Sequence, residues 1–143
     1  MSQFPTNDGL FLMLCDDFRH EGDGKLSIFG VFSDSVVVQE LDAQGNVSLA
    51  SLGIFLAFRD GLGNFKMSMA ITSPKKTELI PPAPPQPVEK KTDAWMTVAI
   101  KLQPFLGTRG DYSLKISLED ENGIKREYVK PFYVKINLPV PLH

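Results

Sequence analysis

The C-terminal third of the chain shows the strictest alternation of apolar and polar side chains. Between residues 112 and 118, every even position is Tyr, Leu or Ile and every odd position is Ser or Lys. A period of two places one face of a β-strand in the core and the other in water. Residues 120–123 (Asp-Glu-Asn-Gly) supply turn residues, and alternation resumes over residues 128–136. The pattern therefore predicts a β-hairpin from residue 111 to residue 136.

Strand signals of the same kind recur along the rest of the chain, and no apolar stripe of helical period persists over three turns. We predict strands at residues 9–16, 25–33, 49–59, 64–73, 94–103, 111–120 and 125–136. Residues 49–72 read as a second hairpin, and Gly30 predicts a bulge or a close backbone approach. Residues 36–38 (Val-Val-Val) either continue the second strand or form a separate short one. The pattern predicts an all-β fold, an antiparallel β-sandwich of about seven strands in a single domain over residues 1–143.

A run of prolines interrupts this pattern between the fourth and fifth predicted strands. Residues 81–87 hold five of the eleven prolines of the chain. Because proline cannot donate a hydrogen bond to a neighbouring strand, we predict a stiff, exposed crossover loop over residues 80–88. The alternative is that this run binds an aromatic-lined groove on another protein.

Composition narrows the classes of partner and location. The formal net charge is −2 and the charges are interspersed, so we expect no nucleic-acid partner. The sole cysteine, Cys15, lies in an apolar run, which favours a buried and inert thiol. No basic segment followed by an apolar segment opens the chain, and the apolar stretches are too short to span a bilayer. We therefore expect a cytoplasmic location and no membrane partner.

Two segments resemble known families. Residues 110–114 (Gly-Asp-Tyr-Ser-Leu) resemble the sixth strand of immunoglobulin-like domains, in which the tyrosine hydroxyl bonds to backbone upstream; the paired cysteines of those domains are missing here. Residues 15–19 (Cys-Asp-Asp-Phe-Arg) and 24–32 (GKLSIFGVF) resemble the opening of a family of small uncharacterised prokaryotic proteins. That pattern is Cys-Asp-Asp-x-Arg followed by Gly-Lys-x-Ser-x-x-Gly-x-Phe. The resemblance implies a bacterial or archaeal origin, an immunoglobulin-like sandwich and no assigned activity.

Charged turn residues form the candidate site that strand order predicts. If each strand crosses the sandwich once, and residues 36–38 extend the second strand, several turns meet at one pole. The residues expected there are Asp16, Asp17, Arg19, His20, Arg59, Asp60, Arg109 and Asp111. Loops on a rigid scaffold commonly carry recognition, so we predict that these residues form a surface for a protein partner or for self-association.

Other interpretations of this pole remain open. It could be a set of solvated turn charges with surface ion pairs. It could bind calcium, although the three arginines disfavour that, or act as a hydrolase site, which requires burial of one carboxyl group. The sequence contains no nucleotide, nucleophile or closed zinc motif. We expect an uncharacterised, non-enzymatic protein-interaction module without cofactor or metal. The alternative is a small enzyme or metal-dependent binder that uses the Asp-rich pole.

Large aromatic residues also fall on strand faces that should be wet. Phe55, Trp95 and Tyr133 lie on the second faces of strands whose other faces already read as core. Cover by the Pro-rich loop, self-association and a partner protein each explain such residues.

Overall fold

β-Strands make up the regular structure of the computed structural model, which describes residues 2–38, 41–80 and 83–137. The strands are β1 (Leu10–His20), β2 (Leu26–Phe32), β3 (Val36–Val38), β4 (Val47–Leu49), β5 (Leu52–Phe58), β6 (Gly63–Thr72), β7 (Gln86–Lys90), β8 (Met96–Leu102), β9 (Phe105–Gly107), β10 (Gly110–Glu119) and β11 (Lys125–Ile136). The all-β prediction is confirmed. The described residues hold eleven strands, however, and not about seven.

All seven predicted strands are present, and the four additional strands are short; of these, β3 is the separate strand that the sequence leaves open at residues 36–38. β3, β4 and β9 have three residues each and β7 has five. Three residues contain too little alternation to distinguish a strand from a loop.

The strands form two sheets that face each other as a sandwich. The first has the order β2-β1-β5-β8 and is antiparallel throughout. The second has the order β3-β11-β10-β6-β7, in which β3 runs parallel to β11 and the other neighbours are antiparallel. β4 and β9 pair in a small two-stranded sheet.

The C-terminal hairpin is confirmed, but the predicted hairpin over residues 49–72 is wrong. β10 and β11 pair from Gly110↔Val134 to Glu119↔Lys125. In contrast, β5 pairs with β1 and β8, whereas β6 pairs with β10 and β7. The turn between β5 and β6 therefore carries the chain from one sheet to the other. Alternation identifies a buried face but does not specify the neighbouring strand.

Two further predictions are corrected at sheet edges. Of the two alternatives for residues 36–38, the separate short strand is present: β3 does not extend β2 but lies in the opposite sheet beside β11. The predicted loop over residues 80–88 contains the start of β7, which pairs with β6. Pro87 fits in β7 because this strand lies at the edge of the sheet, where one side has no neighbouring strand and needs no backbone N–H donor. Pro81 and Pro82 lie outside the described residues.

The hydrophobic core lies between the two sheets. Alternate positions of the long strands belong to one buried cluster, including Leu52, Ile54, Leu56 and Phe58 of β5 and Tyr112, Leu114, Ile116 and Leu118 of β10. Removal of this apolar surface from water is the main force that holds the sheets together.

Two buried tyrosines of the five-stranded sheet form hydrogen bonds with the backbone of neighbouring segments. The Tyr112 hydroxyl donates to the Thr108 carbonyl at 2.6 Å and accepts from the Thr108 N–H at 3.0 Å. This is the corner bond that residues 110–114 predict. The Tyr128 hydroxyl donates to the Pro5 carbonyl at 2.7 Å and holds the N-terminal segment. Burial raises the pKa of Tyr128 to about 12 and also raises the pKa of Tyr112.

Candidate functional site: the outer face of the four-stranded sheet

The central strands of the four-stranded sheet are apolar on both faces. β5 (LGIFLAF) contains no polar side chain, and neither do the first six residues of β1 (LFLMLC). A strand with this pattern is typical of sheets that are covered on both sides. One side of β5 faces the core, so the other side needs a separate explanation.

Strand pairing aligns the outward-pointing residues in rows. Phe11 pairs with Ala57, Met13 with Phe55 and Cys15 with Gly53. We call the following set the outer apolar face: Phe11, Met13, Cys15, Val31, Phe55, Ala57 and Ala99. Val31 is opposite Cys15, and Ala99 is opposite Phe55. None of these residues belongs to the core cluster, although Cys15 and Ala57 are fully buried beneath their neighbours.

A break in pairing adds Phe18 to this face. β1 and β2 pair on both sides of Asp16 and Gly30, but these two residues themselves do not pair. Gly30 has a φ of 65°, and a Cβ there would lie 2.2 Å from Asp16 Oδ2. The neighbour that approaches Gly30 is thus a side chain and not a backbone segment, and because one residue on each strand separates the flanking pairs, no bulge is inserted there. Past the break, the Phe18 ring lies over Gly53, on the same side as the Cys15 thiol.

Lys101 forms the charged margin of the outer apolar face. Its Nζ lies 2.6 Å from Asp17 Oδ1, donates to the Phe18 carbonyl at 3.3 Å and sits 5.0 Å from the centre of the Phe18 ring. The His20 ring meets the Phe18 ring edge to face at 5.8 Å. The hydrogen bond from Lys101, together with the backbone N–H of Phe18, lowers the pKa of Asp17. The lysine and aspartate thus neutralise each other at the edge of an apolar surface.

Cys15 is the one thiol of the chain and is sealed within this face. Its side chain is fully buried, and a Cβ at Gly53 would lie 2.6 Å from its sulfur. Burial raises the pKa of the Cys15 thiol, because desolvation disfavours the thiolate. This environment agrees with the inert thiol expected from the sequence.

The predicted pole does not form, because its residues lie at two opposite ends of the sandwich. Arg59 and Asp60 sit beside the start of β1: Arg59 N–H donates to the Gly9 carbonyl, and Asp60 accepts from Thr6 Oγ1 at 2.6 Å. His20 ends β1, about 33 Å away for an eleven-residue strand. Burial alone would raise the pKa of Asp60, but its hydrogen bonds from Thr6 outweigh that effect and lower it.

The other six predicted residues lie at the His20 end. Asp16, Asp17, Arg19 and His20 are in β1, whereas Arg109 and Asp111 flank the start of β10. Arg19 contacts Glu21 at 3.3 Å and lies over the Phe29 ring. Among the described residues, no hydrogen bond or ion pair joins Arg109 or Asp111 to the β1 group. Because residues 36–38 form a separate strand, β3 reverses the chain once before β5, and the unpredicted β7 reverses it again before β8, which explains the split.

The predicted exposed aromatics lie in three different places. Phe55 is half-buried at the centre of the outer apolar face. Tyr133 is exposed on the outer side of the five-stranded sheet, and Trp95, which is 60% exposed, precedes β8. The described part of the chain therefore does not cover Trp95 or Tyr133.

Two kinds of feature are absent from the described residues. No group of three or more His, Cys, Asp and Glu side chains there is arranged to hold a metal ion. No helix there could cross a membrane.

Sequence reasoning missed most of the outer apolar face. The pattern places Phe55 and Ala57 on the face opposite Ile54 and Leu56, but it assigns Phe11, Met13 and Cys15 to no face and does not single out Lys101. The available signal was the absence of alternation in residues 10–15 and 52–58, beside strict alternation in residues 112–118.

These features define an all-β sandwich with one apolar outer face. The chain belongs to the Family of unknown function (DUF6941), which it matches over residues 10–134. The expected place in an uncharacterised family is thus confirmed. No curated protein matches the chain. The crystal structure of the PmoD soluble domain from Methylocystis sp. ATCC 49242 (Rockwell) is similar, with 13% identity, a TM-score of 0.48, and coverage of 94% of this chain and 97% of that one. A similarity at this level carries no argument about function.

Proposed function

We propose that this protein is a non-enzymatic protein-interaction module, built on an immunoglobulin-like sandwich, that docks through its outer apolar face. The observation that carries the proposal is the apolar second side of β1 and β5. Phe11 and Val31 are exposed there, and Phe55 is half-buried between them and β8. Contiguous apolar surface of this kind marks interaction sites in soluble proteins.

The margin of the face supports docking over catalysis. Interface centres are poor in charged residues and rich in aromatic residues and methionine, and polar residues surround them. The outer apolar face follows this arrangement, with Phe11, Met13 and Phe55 inside and the Asp17–Lys101 ion pair at its edge.

The setting of this module is also a proposal. We place it in the cytoplasm of a prokaryotic cell. The buried Cys15 thiol supports a reducing compartment, and the Cys-Asp-Asp-x-Arg resemblance supports the origin.

Site-specific photo-cross-linking in the source cells tests docking. A photoreactive residue is placed at Val31, which is 52% exposed on the outer apolar face, or at Val129, which is 55% exposed on the outer side of the five-stranded sheet. We expect a discrete protein adduct from position 31 and none from position 129. Equal adduct formation at both positions, or none at either, would overturn the proposal.

A further inference from the structure

The outer apolar face carries no charge that would select an acidic or a basic partner. Its one lysine, Lys101, is paired with Asp17 at 2.6 Å, and the other residues of the face are neutral. A charge-neutral, apolar and flat sheet surface is complementary to a second surface of the same kind. Two sheets stack about 10 Å apart with their side chains interdigitated.

The register of β1 and β5 makes the face self-complementary. Phe11 is directly opposite Ala57, and Met13 is opposite Phe55. A two-fold axis that runs between β1 and β5, parallel to them, places β1 of one copy over β5 of the other. The large Phe11 ring of one copy then faces the small Ala57 of the other, and the flexible Met13 side chain faces the Phe55 ring. The same rotation covers β2 of one copy with β8 of the other.

We propose that a second copy of this chain occupies the outer apolar face through this two-fold arrangement. The inference rests on the proposed function and names its partner. Both copies use the same surface, as a closed two-fold interface requires.

The area of the face places this contact among small interfaces. Four strands, with seven residues in β5, give a sheet about 19 Å wide and about 24 Å long, or about 450 Å² of projected area per copy. Two copies contribute about 900 Å² before side-chain relief is counted, which is at the low end for specific interfaces. We therefore expect a weak, concentration-dependent dimer and not a permanent one.

Addition of a strand at the free edge of β2 is a poorer explanation of the apolar face. The break in pairing at Gly30 interrupts the regular row of hydrogen-bonding groups that edge pairing needs. Edge pairing would also leave Phe55 and Ala57 uncovered, because they lie two strands away from that edge.

Sedimentation velocity of the purified full chain, from about 10 μM to about 1 mM, tests the inference. We expect the weight-average mass to rise towards twice the monomer mass. Val31→Lys and Phe11→Lys, both at exposed positions of the face, should weaken association about tenfold or more, because a lysine there must be desolvated on stacking. Val129→Lys is the matched control and should associate like the wild type. Far-UV circular dichroism establishes that each variant is folded.

The outcomes separate this inference from the proposed function. A wild-type chain that stays monomeric at about 1 mM, or a Val129→Lys variant that weakens association as much as Val31→Lys, overturns the second-copy inference. If the purified chain is monomeric while position 31 still cross-links to a different protein in cells, docking stands and self-association fails. If neither occurs, both fail.

Discussion

Along β10, the side chains that point away from the core are Asp111, Ser113, Lys115, Ser117 and Glu119, whereas along β5 they are Gly53, Phe55 and Ala57. The polar set lies on the five-stranded sheet and includes an ion pair between Lys115 and Glu127 at 3.6 Å. The apolar set lies on the four-stranded sheet. The inner faces of the same two strands are alike, since both contribute alternate, fully buried aliphatic residues to one cluster.

This difference shows that the outer side of β5 is not required for the sandwich itself. The five-stranded sheet contributes the same kind of core while the outer side of its strand β10 is polar and solvated; the exposed apolar residues on that side, Val129 and Tyr133, belong to β11. The residues of the outer apolar face lie outside the core between the sheets. A contact with another molecule best explains why they are apolar. The comparison is therefore the physical basis of the proposed docking function.

The two sheets also differ in the residues of their edge strands. β7, at one edge of the five-stranded sheet, contains Pro87, Glu89 and Lys90. β2, at one edge of the four-stranded sheet, contains no charged residue and has Phe29 and Val31 exposed. Proline and charge discourage pairing with another chain, so β7 carries the usual protection. β2 lacks it, apart from the break at Gly30.

The largest expected effect tests whether the inner faces are equivalent. Ile54→Ala in the four-stranded sheet and Ile116→Ala in the five-stranded sheet each remove a fully buried side chain. We expect each to lower the free energy of unfolding by about 2–5 kcal/mol. Chemical denaturation measures both. A loss at Ile54 far smaller than the loss at Ile116 would show that the two inner faces are not equivalent.

The next effect concerns the buried tyrosine hydroxyls of the five-stranded sheet, which form hydrogen bonds to backbone groups. All three tyrosines of the chain lie in β10 and β11. Tyr112→Phe leaves the Thr108 N–H and carbonyl without their partner. We expect the free energy of unfolding to fall by about 1–3 kcal/mol, measured by urea denaturation. Tyr133→Phe removes an exposed hydroxyl and should leave stability unchanged.

Alkaline pH should weaken the five-stranded sheet through Tyr128. Its pKa is about 12 in the fold, against 10.0 ordinarily, so the unfolded chain loses this proton first as pH rises. The stabilisation is complete below pH 10 and is lost as pH rises towards 12. The slope of unfolding free energy against pH should be smaller in Tyr128→Phe. An identical slope in the variant and the wild type would show that Tyr128 does not cause it.

The smallest effect is confined to the margin of the outer apolar face. Lys101→Met removes the hydrogen bond and the positive charge that hold the pKa of Asp17 down. We expect that pKa to rise towards its ordinary value, as read from a carboxyl NMR titration. Lys115→Met, on the opposite sheet, is the control and should leave Asp17 unaffected. An unchanged pKa in Lys101→Met would remove Lys101 from the description of this margin.

Local alternation predicted the strands well, but it could not predict their neighbours. Residues 112–118 reveal both a strand and its buried face, and the Asp-Glu-Asn-Gly turn specifies the hairpin partner. Arg59 to Leu62 also forms a short turn, yet it joins two sheets, because pairing of β5 with β1 and β8 depends on contacts far away in the chain.

The prediction that the charged turn residues meet at one pole was wrong, because it depended on how many times the chain crosses the sandwich. The short strands β3 and β7 both reverse the chain. Residues 36–38 fit either an extension of β2 or a separate strand, and β7 begins in the Pro-rich run, which indicates a loop. Asp60 was therefore placed at the wrong end. The outer apolar face needed no count, since a strand with no polar residue, such as β5, already indicates cover on both sides.

The sealed position of Cys15 gives this protein an internal reporter of opening. Its thiol lies on the outer side of the sheet but has no exposed area, and the Phe18 ring lies beside it over Gly53. A thiol-specific reagent can therefore react only after the Phe18 ring moves aside or β1 and its neighbours separate locally. Since the chain has one cysteine, each modified molecule records one such event. The labelling rate thus measures how often the cover over Cys15 opens in an unaltered protein.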